Sequence, residues 1–363
     1  MVGCEWIDLV IPPEFPRRNT RQVMVGGIPI GGGSPVSVQT MTKTKTADID
    51  ATVAQIVRSA DAGADIVRVT VNDAAAADAI GEIVRQSPVP IVADIHFNHI
   101  YALRSIEGGV AKVRINPGNI GSEERIRQVL EAAGGRDIPI RIGVNSGSLE
   151  KDILEKYGFP TAEALYDSAM RHAGIAEKFG FSGIIIAVKS TSVAIMIAAY
   201  RLIAARTDYP LHLGVTEAGT IKSGTVKSAV GIGALLAEGI GDTIRVSLTD
   251  EPEREVEVGR DILRSLGMAR RGVEIISCPT CGRLETNLFS IVNELEEKVR
   301  RIDKNIKVAI LGCAVNGPGE AKEADLGVAC GKNEAILFKK GEIIRKLPES
   351  EILVTLYQEI LDY

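Results

Sequence analysis

The chain has 363 residues, of which 45% are hydrophobic and 4% aromatic, with a formal net charge of -5. That length suits one large domain plus a small one, and the acidic balance argues against a general nucleic-acid footprint. No apolar run reaches the roughly 18 residues that span a membrane. Residues 1–20 lack a basic start followed by an apolar core, so the cytoplasm is the expected location.

In chain order, residues 1–34 form an N-terminal extension. Within it, QVMVGGIPIGGGSP reads as a hairpin with a Gly-rich turn, of a kind that can plug the bottom of a barrel. Its glycines precede a strand rather than open a helix, so a phosphate loop does not fit. From residue 35 to 267 one pattern recurs: a short apolar strand, a polar turn, then a helical stretch. The strands PVSVQTMT, IVRVTV, PIVADIHF, AKVRINPG, PIRIGVNS, GIIIAVKST, PLHLGVTE and DTIRVSLT begin near 35, 66, 90, 111, 139, 183, 210 and 242. Alternating strands and helices imply right-handed crossovers and a parallel sheet. The count of eight predicts a TIM (β/α)8 barrel over 1–268, which typically takes about 250 residues; a doubly wound open sheet is the competing topology. Between strands five and six, GSLEKDILEKYGFPTAEALYD reads as an inserted loop or short helix on the active-site side. Residues 269–363 change character and predict a small α+β domain of their own.

Four strands carry one arginine each among branched apolar residues: Arg68, Arg114, Arg141 and Arg245. Strand six adds Lys189. A buried charge costs several kcal/mol unless it is paired, so the plain reading of each arginine is a carboxylate partner in the wall. Few acidic residues share these positions, however, and inward residues near strand C-termini converge on one mouth. Guanidinium groups match phosphate oxygens in a bidentate way. The set therefore points to an anionic ligand with more than one phosphate-type charge, with Ser247 and Thr249 as further donors. Asp94 and His96 are expected on one strand face, to hold substrate hydroxyls or move protons rather than to bind a metal. Asn145 follows Arg141 by four residues, and Glu217 is placed at the end of strand seven. His99 and His172 read as structural or surface residues; His212, inside strand seven, stays open.

The chain contains five cysteines. An odd count without a signal peptide argues against a disulfide framework. Cys4 stands alone and reads as inert. Cys278, Cys281 and Cys313 follow C-x2-C-x31-C spacing, and Glu320 comes after an Asn-Gly-Pro-Gly turn. An iron–sulfur cluster with a non-cysteine fourth ligand fits this spacing best. A zinc ribbon lacks its second C-x2-C knuckle, and a redox dithiol lacks the thioredoxin-like context. Cys330 could be a fourth ligand but lies in what reads as a buried strand. On the residues alone, a non-redox lyase with Lys189 as a Schiff-base lysine and a cluster-bearing regulatory protein compete with a redox enzyme.

Together SVQTMT, VRVTV, ADIHF, KVRINPGNIG, IRIGVNSGSL, VKSTS, GVTEAGT, IRVSLT, SCPTCGR and GCAVNGPGE resemble the bacterial 4-hydroxy-3-methylbut-2-enyl diphosphate synthase family of the non-mevalonate isoprenoid pathway. With no large insertion between barrel and cysteine domain, the chain is similar to the two-domain bacterial form. The resemblance implies a [4Fe-4S] cluster on Cys278, Cys281, Cys313 and Glu320, with Cys330 a bystander. It implies reductive ring opening of 2-C-methyl-D-erythritol 2,4-cyclodiphosphate, with flavodoxin or ferredoxin as donor, in a head-to-tail homodimer whose cluster domain covers the partner's barrel mouth. Arg68, Arg114, Arg141, Lys189, Arg245 and Ser247 would then hold the diphosphate. Asn145, Asp94 and His96 would orient the sugar-derived carbons and hydroxyls. Glu217 would be the proton donor, and Glu320 an exchangeable iron ligand.

Overall fold

A computed structural model describes residues 15–268, 272–300, 302, 304–313 and 324–363. Cys4 and Glu320 lie outside the described residues. The chain divides into two compact units, the first ending at Met268 and the second running from Ala269 to Tyr363.

The first unit opens with the expected hairpin, β1 (Val23–Val25) and β2 (Ile28–Ile30), paired antiparallel. Eight parallel strands follow: β3 (Ser37–Met41), β4 (Ile66–Thr70), β5 (Ile91–Asp94), β6 (Lys112–Ile115), β7 (Ile140–Asn145), β8 (Ile184–Lys189), β9 (His212–Leu213) and β10 (Thr243–Ile244). Their spatial order is β8-β7-β6-β5-β4-β3-β10-β9. A parallel bridge between Ile186 and Leu211 joins the two edges, so the sheet closes on itself. This is the (β/α)8 barrel, and the open-sheet alternative falls.

The helices between the strands are α1 (Ile49–Asp61), α2 (Ala74–Gln86), α3 (His99–Glu107), the short α4 (Pro117–Ile120), α5 (Glu123–Gly134), α6 (Lys151–Tyr157), α7 (Ala162–Lys178), α8 (Val193–Arg206), α9 (Ile221–Ala237) and α10 (Pro252–Ser265). Several start on a capping side chain: Asp48, Asp73, Asn98, Thr161 and Ser192 each accept a first-turn N–H, satisfying donors that the helix cannot use. Proline begins α10, where its missing N–H costs nothing. The long segment after β7 resolves into α6 followed by the regular crossover helix α7.

The hairpin plugs the barrel from below. Val23, Val25 and Ile30 form one apolar cluster with Ile66, Val92 and Ile185, which stand at the N-terminal ends of β4, β5 and β8. Gly26 is needed in that turn: its φ is +54°, and an added Cβ would come 2.8 Å from Pro90 and 2.9 Å from Ala111.

The second unit is a five-stranded mixed sheet in the order β11 (Val273–Ser277), β12 (Ile306–Leu311), β13 (Leu326–Gly331), β14 (Glu334–Lys339) and β15 (Glu342–Pro348). The first three strands run parallel and the last two antiparallel. Helices α11 (Leu288–Val299) and α12 (Ile352–Asp362) cover one face through Leu288, Leu295, Leu356 and Ile360, packed on Val308, Ile310, Val328 and Leu337.

Candidate active site

Alternation along each barrel strand sends Arg68, Asp94, Arg114 and Arg141 inward together. Asp94, Arg114 and Arg141 are consecutive partners in the β5–β6–β7 register. All four are buried, with Arg141 only 1% exposed. Asp94 accepts from Arg114 Nη1 at 2.9 Å and lies 3.6 Å from Arg68 Nε. Burial opposes the Asp94 charge, yet Arg68, Arg114 and Arg141 outweigh it and hold the carboxyl far below its usual range. Burial lowers Arg68 to about 10 despite Asp94.

Arg245 also has a carboxylate, one that strand-by-strand reading missed. Glu255, on α10 and 1% exposed, accepts from Arg245 Nη2 at 3.0 Å on both oxygens and from Nε at 3.2 Å. It further accepts from Thr40 Oγ1 at 2.9 Å and Leu248 N at 3.0 Å. Arg245 Nη1 donates to Ser247 Oγ at 2.6 Å. Arg68 and Arg114 thus share Asp94, and Arg245 has Glu255, so two carboxylates offset two of these charges.

The remaining charge is different. Among the described residues, no carboxylate forms an ion pair with Arg141 or Lys189, or with Lys112, a buried cation that sequence reasoning overlooked. Burial, reinforced by the neighbouring guanidinium groups, pushes the Arg141 and Lys189 charges well below their ordinary range. Counting Arg68, Lys112, Arg114, Arg141, Lys189 and Arg245 against Asp94 and Glu255 leaves an excess of four positive charges. Asn145 pairs in register with Lys189 and brings an amide to the same rim. Gly143 makes room for the cluster, because a Cβ there would sit 2.7 Å from Arg114 Nε.

Three rim residues sit less deeply than expected. β5 ends at Asp94, and His96 beyond it is exposed, so this pair does not share a buried strand face. Glu217 lies four residues past the two-residue β9, exposed, in a left-handed turn conformation with φ +49°. Thr249 is likewise exposed. Of the other histidines, His99 opens α3. His172 is buried in α7 with Nε2 2.7 Å from Glu150 Oε1.

In the second unit, adjacent parallel strands gather the cysteines. β11 and β12 end side by side, so the loops carrying Cys278 and Cys313 leave the sheet together. Cys278, Cys281 and Cys313 line one cavity of about 130 Å³ with Pro279, Thr280, Arg283, Leu311 and Gly312. Gly312 N donates to Cys278 Sγ at 3.3 Å, and a Cβ on Gly312 would meet Leu284 at 2.5 Å and Cys278 Sγ at 3.3 Å. Arg283 Nε donates to Cys281 Sγ at 3.5 Å, which draws that thiol below the ordinary cysteine value. Thr280 holds the tight turn between the first two cysteines at φ +55°. Cys330 is fully buried in β13, where burial raises its thiol to about 12. Among the described residues, no three His, Cys, Asp or Glu side chains are gathered closely enough to grip a single ion.

A family model described as the GcpE TIM-barrel domain matches residues 20–260, and one described as the GcpE protein C-terminal domain matches residues 274–362. The chain belongs to the GcpE family. Its curated relatives include proteins from Ruminiclostridium cellulolyticum, 56% identical over 95% of this chain and 98% of that one. Others are from Geobacter sulfurreducens, 53% identical over 95% and 98%, and Geobacillus thermodenitrificans, 55% identical over 95% and 92%. All three are named 4-hydroxy-3-methylbut-2-en-1-yl diphosphate synthase (flavodoxin). The GcpE family is the one that the sequence motifs resemble. No helix among the described residues is long and apolar enough to cross a membrane.

Proposed function

We propose that this chain is a cytoplasmic 4-hydroxy-3-methylbut-2-enyl diphosphate synthase. It takes 2-C-methyl-D-erythritol 2,4-cyclodiphosphate, two electrons and two protons to the linear allylic diphosphate and water. The observation that carries the reading is the uncompensated positive charge of the barrel interior, beside Arg141 and Lys189. A diphosphate supplies the missing anion, and a barrel mouth is where such a ligand binds. Names of relatives more than half identical over nearly the whole chain agree with it.

Arg141 and Lys189 bind the diphosphate directly, while Arg68, Arg114 and Arg245 offer donors from guanidinium groups already steadied by Asp94 and Glu255. Ser247 adds a hydroxyl beside Arg245. Asn145 and His96 at the rim orient the carbon skeleton, with Asp94 behind them. Glu217, in the turn beyond β9, holds the proton delivered to the opening ring.

The residues of the second unit fit an iron–sulfur cluster. Three thiols surround one cavity, a backbone N–H points at one sulfur, and Gly312 leaves the space a side chain would fill. N–H donors to the sulfurs are a standard means of setting a cluster's potential. Cys278, Cys281 and Cys313 would hold a [4Fe-4S] cluster with Glu320 as fourth ligand. When bound, the cluster supplies the two electrons one at a time, drawn from flavodoxin or ferredoxin. The reading includes a head-to-tail homodimer, which sedimentation of the loaded protein checks. The decisive test is anaerobic assay of reconstituted protein with reduced flavodoxin and the cyclodiphosphate. About four irons per chain and formation of the allylic diphosphate are expected. Colourless protein with one zinc per chain, or loaded protein that binds the cyclodiphosphate without opening it, overturns the proposal.

A further inference from the structure

Further buried polar groups lie beneath Arg114 and beside Arg141. Lys112 precedes Arg114 by two positions on β6 and shares its inward face. It is therefore about 6.6 Å deeper along the strand. Its register partner Val92 belongs to the apolar plug formed with Val25 and Ile30. Lys112 is fully buried, and among the described residues its Nζ has no hydrogen-bond partner. His212, three strands away on β9, is also fully buried; its Nδ1 is 3.4 Å from Thr243 Oγ1 and, among the described residues, its Nε2 has no partner. An anion at Nε2 selects the tautomer in which the Thr243 hydroxyl donates to Nδ1 and Nε2 carries the proton. Arg141 leaves Nε and Nη1 unpartnered, and Gln39 leaves both ends of its amide unpartnered.

These groups sense one another. Burial, then Arg141, depress the Lys112 charge; burial, then Arg141 and Lys112, depress that of His212. Asp94 acts on Arg141 from a distance but is itself engaged by Arg114 and Arg68. Arginine does not shed its proton in a protein, and a dry cation without a counter-charge costs several kcal/mol. Water would satisfy donors but would leave the charge. A phosphate would bring more oxygens than this floor has free donors. A halide needs few directional bonds and one unit of charge.

We propose that the floor of the barrel is a binding site for a small inorganic monoanion of the halide class, held by Lys112 Nζ, Arg141 Nε and His212 Nε2, beneath the diphosphate site and adjoining it through Arg141. The subsite neutralises one charge under the substrate and keeps Lys112 protonated.

The test uses crystals of the full chain grown with bromide in place of chloride. An anomalous peak beside Lys112 Nζ is expected, persisting when inorganic pyrophosphate occupies the site above, and absent in Lys112→Met. In solution, bromide exchanged for gluconate at fixed ionic strength should raise the melting temperature saturably. The half-saturating concentration should rise about tenfold or more in Lys112→Met, a loss of at least about 1.4 kcal/mol of binding. If Lys112→Met fails to fold, His212→Gln provides the same comparison with a weaker expected shift. A floor holding only water, a peak that survives Lys112→Met, or bromide expelled by pyrophosphate overturns the proposal.

Discussion

Asp94 anchors more charge than any other single residue in the barrel. Its two oxygens face two guanidinium groups in a site almost closed to water. Asp94→Asn leaves Arg68 and Arg114 buried without a counter-charge, which should cost about 3–5 kcal/mol in denaturant unfolding at neutral pH. Pyrophosphate should restore part of that loss. The pH dependence has a definite sign. The folded carboxyl titrates below its unfolded value of 3.8, so its contribution is complete above about pH 4 and drains away as pH falls further. Between about pH 4 and 2, the native chain should therefore lose stability more steeply than Asp94→Asn, as read by unfolding at each pH.

Two deep residues escaped the sequence reading, and each had left a trace. Glu255 sits in the first turn of α10, where acidic residues are ordinary companions of the helix dipole. The overlooked signal is its phase: Pro252, Glu255, Val256, Gly259, Ile262 and Leu263 form one buried stripe, so a carboxylate stood in an apolar register. Lys112 was hidden by its place at a strand end, where a lysine usually reaches solvent. Once Arg114 is taken as inward, alternation puts Lys112 inward too. His96 and Glu217 lie nearer solvent than a strand position implies, because the strands stop before reaching them.

Strand pairing shapes both sites at the level of elements. On β7, Gly143 gives Arg114 room to reach across to Asp94. Gly143→Ala should displace that guanidinium and raise KM for the cyclodiphosphate about tenfold, equivalent to about 1.4 kcal/mol. The fold itself should survive, since the atom displaced ends a flexible chain. In the smaller unit, Gly312→Ala drives a methyl into Leu284 and against the Cys278 sulfur. Iron bound after reconstitution should fall by half or more, roughly what 1–3 kcal/mol of overpacking predicts for a marginal site. The eight strand segments were legible because branched apolar runs and Gly-ended helices alternate so regularly. The pairing of β11 with β12, which brings the Cys278 and Cys313 loops to one cavity, could be inferred only from the cysteine spacing.

For the molecule as a whole, the division at Met268 leaves each of the two units with an apolar cluster of its own. Two calorimetric transitions are expected. Metal removal with a chelator should lower the one belonging to 269–363, since a ligand that binds only the folded state stabilises by mass action. The barrel transition should stay in place. A single transition, or one that moves as a block, would show that the units unfold together.

The N-terminal hairpin also has a consequence for traffic. With Val25 and Ile30 stoppering the lower end, the tube is blind: everything that enters must leave by the doorway it came in through. Substrate, the water expelled by it and the finished diphosphate queue at one threshold. Turnover is then bound to a strict sequence in which each departing molecule vacates the passage before its successor can be admitted.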